Sequence, residues 1–537
     1  MNEHGLQILS ILQKQLLNCL NFIQESMNQR LIKRVLSLGV LVFSMSANAQ
    51  FENEFQRQHR TDIGTTKGNG VKRTWYNFQL NAEEQRIFDT VQYRTFQYFW
   101  EGAEPNSGLA PERIHMDNHY PENDQHIVTT GGSGFGVMAI TAGYYRGWIS
   151  QAQYLARMEK IVSFLATCDR FHGAWPHWID GKTGKVRPFS KYDDGGDLVE
   201  SSFLMQGLLC VKSFLENNIQ SEMPGKFKKG PVHLGKYQST LLASKQSIIN
   251  QIQRFWNEME FDWYTNGQKV LFWHWSPNYG WKMNFGVRGY NECLIMYVLA
   301  ASSPTHAISA DVFHLGWADS GKIVAQKRPI YDKYSLKLRY QGNPPHGGPL
   351  FWAHYSYLAL NPMGLSDRYC DYGFENFNLT MMNLWWCSDN PLKYKGYSDS
   401  SWGLTASYSV KFYAAHAPDS LNDVGVISPT AALSSYPYAP MWSTKAMVHW
   451  YKSKPELFGK YGFYDAFSEQ ENWMLPHYLA IDQGPIAVMM ENYRSGLFWT
   501  LFMSNKDIQR GIAKLGMVAK PANVPWKLPT FKLPSSK

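Results

Sequence analysis

Six cysteines in 537 residues, none at CxxC spacing, are too few and too scattered for a disulfide framework or a zinc ribbon. Cys168, Cys210 and Cys293 fall in helical patterns, and with Cys370 and Cys387 they read as buried free thiols. The net charge of +8 is dispersed with no Lys/Arg block, which excludes nucleic acid as the implied partner. The apolar run Val35–Phe43 is well short of the ~20 residues a bilayer span requires. Gly131, Gly132, Gly134 and Gly136 lack the Gly-Lys-Ser/Thr of a phosphate loop, and Phe135 stands where a nucleophile elbow around Ser133 needs glycine. No zinc signature accompanies His177 or His274, so no metal and no cofactor are expected. Stretches of alternating polarity are few, and no fixed repeat period suggests an open solenoid.

Aromatic residues are what the chain has in excess. Its 20 Trp, 31 Tyr and 30 Phe make 15% of the residues, many clustered beside Gly, Pro, His and Asn. Flat rings of this kind stack on sugar faces. Near the start, Arg30, Lys33 and Arg34 precede the apolar run, and Ala47-Asn48-Ala49 is a small-x-small cleavage site. The true start is read as Met27, with a signal peptide over 27–49 and export to the periplasm or beyond.

Helical periodicity dominates the remainder. Val137, Ile140, Tyr144 and Trp148 lie three or four apart; Tyr154, Met158, Ile161 and Leu165 follow Ser150, a good N-cap. The pattern returns over 198–215, 248–259, 294–298 and 486–493, with long Gly/Pro/Trp/Asn loops between. Many helices joined by elaborate loops predict an all-α fold, paired helices closed into an (α/α)6 toroid with its cleft at one face. The divisions expected are 1–49 (upstream extension and signal peptide), 50–80 (lead-in), 81–517 (one catalytic domain) and 518–537 (tail). The Pro-rich 303–350 reads as an excursion or lid, and a monomer is expected.

Carboxylates gather where helices begin. Asp193, Asp194, Asp197 and Glu200 lie in one short stretch, and Asp197 and Glu200 share a helical face. They read either as an N-cap with a capping-box partner or as cleft acids. Glu292 follows Arg288-Gly289-Tyr290-Asn291 and the aromatic run Trp273, Trp275, Tyr279 and Trp281, surroundings that suit a carboxyl kept protonated by burial. Asp482 stands before Gly484-Pro485, with Pro485 expected in the first helical turn. Carboxyl pairs among aromatic plates are the equipment of glycoside hydrolysis. Trp178, His177, Phe189, Asp194, Trp273, Trp275, Tyr279, Arg288 and Tyr290 are the expected substrate contacts.

At these words the chain resembles bacterial glucoamylase-like proteins, and within them the endo-β-1,2-glucanases of glycoside hydrolase family 144. The matching runs include Thr129–Gly134, Trp175-Pro176-His177-Trp178, Pro188–Lys191, Gly195–Ser201, Trp273–Tyr279, Arg288–Glu292 and Asp482–Pro485, spanning roughly 80–505. The resemblance implies an (α/α)6 barrel and anomer-inverting hydrolysis of β-1,2-glucan to short oligosaccharides. It implies Glu292 as general acid and Asp482 as the acid that activates water, with Asp197 and Glu200 as further cleft carboxylates. An exo-acting, disaccharide-releasing β-glucan hydrolase, an α-glucan hydrolase or a polysaccharide lyase on the same scaffold, and a non-catalytic periplasmic glycan-binding protein, are the alternatives.

Overall fold

The computed structural model describes residues 78–120, 123–222 and 236–520. The signal peptide, most of the lead-in and nearly all of the tail lie outside them. Twelve α-helices order the described residues: α1 Ala82–Trp100, α2 Thr130–Tyr145, α3 Gln151–Leu165, α4 Leu198–Glu222, α5 Lys236–Glu258, α6 Leu294–Ser302, α7 Tyr372–Asp389, α8 Pro429–Leu433, α9 Pro440–Ser453, α10 Ala480–Ser495, α11 Leu497–Met503 and α12 Lys506–Lys514. Local chemistry sets several starts. Asn81 caps α1 and Ser150 caps α3, each in a reciprocal capping box with Glu84 and Gln153.

Two kinds of helix are present. Helices α2, α6, α8 and α10 are buried over most of their length, and α6 exposes none of its nine residues. Burying each large apolar side chain contributes about 1.5–3 kcal/mol, so such helices are held by packing from every side. Helices α1, α3 and α12 keep one polar face. Helix α2 packs on α4 and α10, α4 on α6, and α8 on α10. The 3-10 turns Leu350–Ala353 and Tyr355–Tyr357 bridge the remaining interval: the second touches α6, and Tyr438 just beyond α8 donates to the Ala353 carbonyl of the first at 2.9 Å. Helix α2 meets α4 almost backbone to backbone. Cβ atoms at Gly134 and Gly207 would run into the facing main chain, so glycine is what allows the approach.

The helix-rich expectation is met, with one correction to "all-α". The connecting loops carry small sheets of two or three strands. Among them, β1 (Arg113–His115) pairs antiparallel with β7 (His477–Leu479). β2 (Ile127–Thr129), β3 (Trp178–Asp180) and β4 (Val186–Arg187) form one sheet, and β5 (Gly196–Asp197) pairs with β6 (His274–Trp275). Strands this short leave too few residues for alternation to register in a sequence. Helix α10 is a second correction: it begins at Ala480, directly from β7, so Pro485 lies inside it rather than in its first turn, while Asp482 does occupy that turn. Residues 303–350 hold a π-helical turn at Val312–Trp317 and a two-residue hairpin, and Gln341 returns to accept from Asn291 beside Glu292 at 2.9 Å.

All five described cysteines are free and buried. Leu198–Asn217 is long and apolar enough to cross a membrane by composition, yet 94% of its apolar window is buried inside the protein.

Candidate active site

The pairing of β5 with β6 sets Asp197 opposite His274. Asp197 N-caps α4: its Oδ1 accepts the Glu200 amide at 2.9 Å. The other oxygen is committed elsewhere. Asp197 Oδ2 lies 3.0 Å from His177 Nδ1, 3.4 Å from His274 Nε2, and accepts the Trp273 indole N–H at 3.1 Å. Asp193 Oδ2 completes the cluster, 3.4 Å from His177 and 3.2 Å from His274. The cap reading and the site reading of Asp197 therefore both hold, one per oxygen. Glu200 does not close a capping box. Its Oε2 accepts the Gly131 amide at 2.8 Å, at the start of α2.

These contacts set the charges. Burial opposes a charge on His274, but Asp197 and Asp193 outweigh it and lift the imidazole to about 9. His177 rises well above its usual value in the same way, against burial and through Glu200, Asp193 and Asp197. Asp197 is held low by the two imidazoles in spite of its burial. His177, Asp193, Asp197 and His274 could hold a metal ion, with one ligand atom each inside 4.8 Å.

Glu292 lies two residues before α6, beneath the 3-10 turn: Ser356 Oγ donates to its carbonyl and accepts the Ile295 amide at 3.0 Å. The carboxyl is 9% exposed, and Oε2 meets no donor. Burial lifts it to about 7, against its own amide and the nearby Trp352 indole, with Asp197 adding to the rise. Glu200 also reaches about 7 through burial, opposed by the charge on His177. Asp482 is 2% exposed and raised well above the carboxylate range by burial and by Asp465, a residue the sequence reading missed. The hydroxyl of Tyr355 feels the charges of Asp482, Glu200 and Glu292 together. The three helix starts are thus within electrostatic reach of one side chain.

The expected sugar contacts divide. Phe189, half exposed, stacks on His177 at 4.2 Å; Trp178 meets Phe189 edge-on, and Tyr279 is exposed beside Tyr192. Asp194 accepts from Asn278 at 2.7 Å, and Trp275 lies edge-on to His172 and Trp263. Two others are tied into the fold. Tyr290 is fully buried, its hydroxyl bonded to Tyr357 and Asn376, and Arg288 Nη1 is spent on the Leu315 and Gly316 carbonyls. Arg113, Tyr408 and Tyr413 border Asp465 and Asp482 and carry no local motif that could have announced them.

A helix-rich body with buried carboxyls at several helix starts, flanked by a cluster of aromatic rings, is the equipment of a glycoside hydrolase. A family model described as Glycoamylase, a glucoamylase-type family, matches residues 284–506. The endo-β-1,2-glucanase from Chitinophaga pinensis, solved with sophorotriose and glucose, is 57% identical, with 82% of this chain and 99% of that one aligned and a TM-score of 0.76. The β-1,2-glucanase structure from Parabacteroides distasonis is 37% identical over 82% of this chain and 60% of that one, TM-score 0.71. A curated relative from Parabacteroides distasonis, an exo β-1,2-glucooligosaccharide sophorohydrolase (non-reducing end), is 39% identical over 447 residues. That match takes in 80% of this chain but spans only 58% of the relative's length. The chain belongs to the glucoamylase-like family of glycoside hydrolases.

Proposed function

We propose that the protein is a secreted endo-acting hydrolase of β-1,2-glucan, built on an (α/α)6 barrel and working with inversion at the anomeric carbon. The observation that carries this reading is the buried Glu292 carboxyl, with Oε2 meeting no donor and burial lifting it to about 7, within electrostatic reach of Asp197. Glu292 is the general acid: it protonates the glycosidic oxygen as the bond to the anomeric carbon breaks. Asp482 takes a proton from the water that attacks the opposite face. Asp197, its oxygens taken by the Glu200 amide, His177, His274 and Trp273, holds those side chains in place, and Glu200, anchored by the Gly131 amide, binds a hydroxyl of the glucose unit at the point of cleavage. Trp178, Phe189, Trp273, Trp275 and Tyr279 offer ring faces and edges to its neighbours. The helical contacts from α10 through α2, α4, α6 and the 3-10 turns to α8 support the barrel.

The test is a time course on linear β-1,2-glucan. Mixed oligosaccharide lengths at early times, released in the α-anomeric form, support internal cutting with inversion; no reducing ends from this polymer would overturn the reading. Release of sophorose alone from the first minutes favours the second reading, exo action, which the sophorohydrolase relative motivates. Export is checked by the N-terminal sequence of the mature protein, expected to start at Gln50, and the monomer by light scattering.

A further inference from the structure

We propose that Asp465 is a positioning residue for the water-activating step, its carboxyl joined to that of Asp482 through one shared proton, so that the pair rather than Asp482 alone accepts the proton from water. This rests on the functional reading above and extends it to a residue with no assigned role.

Asp465 stands just ahead of the Ala466–Ser468 strand, and its amide donates at 3.0 Å to the carbonyl of His477, the first residue of β7, which feeds α10. That contact brings it to the first turn of α10, where its carboxyl and that of Asp482 each bear on the other's protonation. The two groups are 1% and 2% exposed. Asp465 Oδ2 already has a donor, the Tyr408 amide at 3.0 Å. Asp465 Oδ1 and Asp482 Oδ2 are buried and receive no N–H or O–H from any other described group. Two anions cannot stay in contact away from water, and a neutral pair would leave no base. One proton between the two carboxyls satisfies both orphan oxygens and leaves a single negative charge.

Every neighbouring element has been drawn into this balance. The β1 side brings Glu112, which pushes Asp482 up, and Arg113, which steadies Asp465 and lies 3.6 Å from Glu112. Tyr408 and Tyr413 face the pair from the 406–415 loop, Tyr355 from the 3-10 turn, and Tyr98 from α1. Burial raises Asp465 to about 6 even though Asp482, Tyr408 and Arg113 pull it down.

The proton accounting closes. Water forms its bond to the anomeric carbon as the glycosidic bond breaks; its proton passes to the anionic pair, which becomes neutral. Glu292 gives its proton to the departing oxygen. The pair then releases one proton to solvent and Glu292 regains one.

The test uses the full chain with Asp465→Asn and Asp465→Ala, assayed on β-1,2-glucan across pH. In Asp465→Asn the amide donates permanently to Asp482, making it a weaker base that ionises more readily. The kcat falls about ten- to a hundredfold with KM little changed, and the acid limb of the pH profile moves down. In Asp465→Ala, Asp482 is left buried without a partner, and the limb moves up. The alkaline limb, set by Glu292, stays in place in both. Acid limbs that coincide with wild type in both variants overturn the proposal, since a packing role would move neither. Melting temperature against pH supplies a readout independent of activity. Forcing the second ionisation costs wild-type stability as pH rises, and Asp465→Asn, or Asp482→Asn should the first fail to fold, makes that decline shallower. An unchanged decline overturns the shared proton. Near-normal activity in Asp482→Asn with the shallower decline present would instead sink the assignment of the base.

Discussion

His177 Nδ1 lies 3.0 Å from Asp197 Oδ2, joining the residue just before β3 to the cap of α4. The same carboxylate oxygen accepts from Trp273, so one acid holds three loops in register. The contact explains why the charges of the cleft are interdependent, and it makes the first prediction specific.

Asp197→Asn keeps the helix cap, because asparagine caps as well as aspartate, but it removes the charge that holds the imidazoles protonated. The His274 pKa is expected to fall from about 9 toward the ordinary histidine range, read by NMR titration of the ring protons. Activity drops at least tenfold, by about 1.4 kcal/mol or more. An imidazole that titrates as in wild type would refute the account of the cluster.

Glu292→Gln removes the acid without changing its shape. Turnover should fall by about 10²–10⁴-fold while calorimetry shows oligosaccharide binding within about threefold of wild type. The proposed role requires Glu292 protonated, so the wild-type rate is expected to decline as pH rises above about 7. Retained turnover in the glutamine variant would remove Glu292 from the mechanism.

Gly131→Ala tests the anchoring of Glu200. A Cβ at this position would press into the Glu200 carboxylate that the Gly131 amide holds. Displacement of an anchored group by about 1 Å costs on the order of 10²-fold in rate. A large kcat loss with a melting temperature lowered only slightly is expected; full activity would show that Glu200 tolerates the shift.

Glu375 supplies the contrast. It too is buried and lifted to about 7, yet its oxygens serve the Lys337 and Leu338 amides at 2.9 Å. Glu375→Ala should cost about 1–3 kcal/mol of stability by orphaning two buried N–H groups. In urea unfolding the midpoint falls, while kcat stays near wild type. A catalytic collapse without loss of stability would move Glu375 into the site.

Stability itself should depend on pH with a defined sign. Glu200, Glu292 and Glu375 all have folded-state values raised to about 7. The stability they contribute is complete below the unfolded carboxylate pKa and is lost as pH rises through about 7. Asp197 acts in the opposite sense, its contribution lost in acid. Calorimetric melting should therefore decline between about pH 5 and 8, and a rising melting temperature over that window would contradict the burial of the three glutamates.

Much of this was legible from local pattern. Ser150 announced a helix by its cap, and the acids at 197, 200, 292 and 482 announced themselves by standing where helices begin. Asp465 did not, because its importance comes from a partner 17 positions away that only the β7 turn brings near. Tyr290 misled for the converse reason: an aromatic in a Gly-Tyr-Asn turn looks the same whether it faces a ligand or, as here, Tyr357 and Asn376. Pro485 suggested a later helix start because nothing in the sequence reveals that β7 runs straight into α10.

The glycine-mediated seam between α2 and α4 has a consequence for how such enzymes diversify. Two rods locked main chain to main chain give the reacting groups a chassis that tolerates no redesign, so novelty must come from the loops above it. Exchanging those loops between relatives should trade one product pattern for another and leave the proton chemistry untouched.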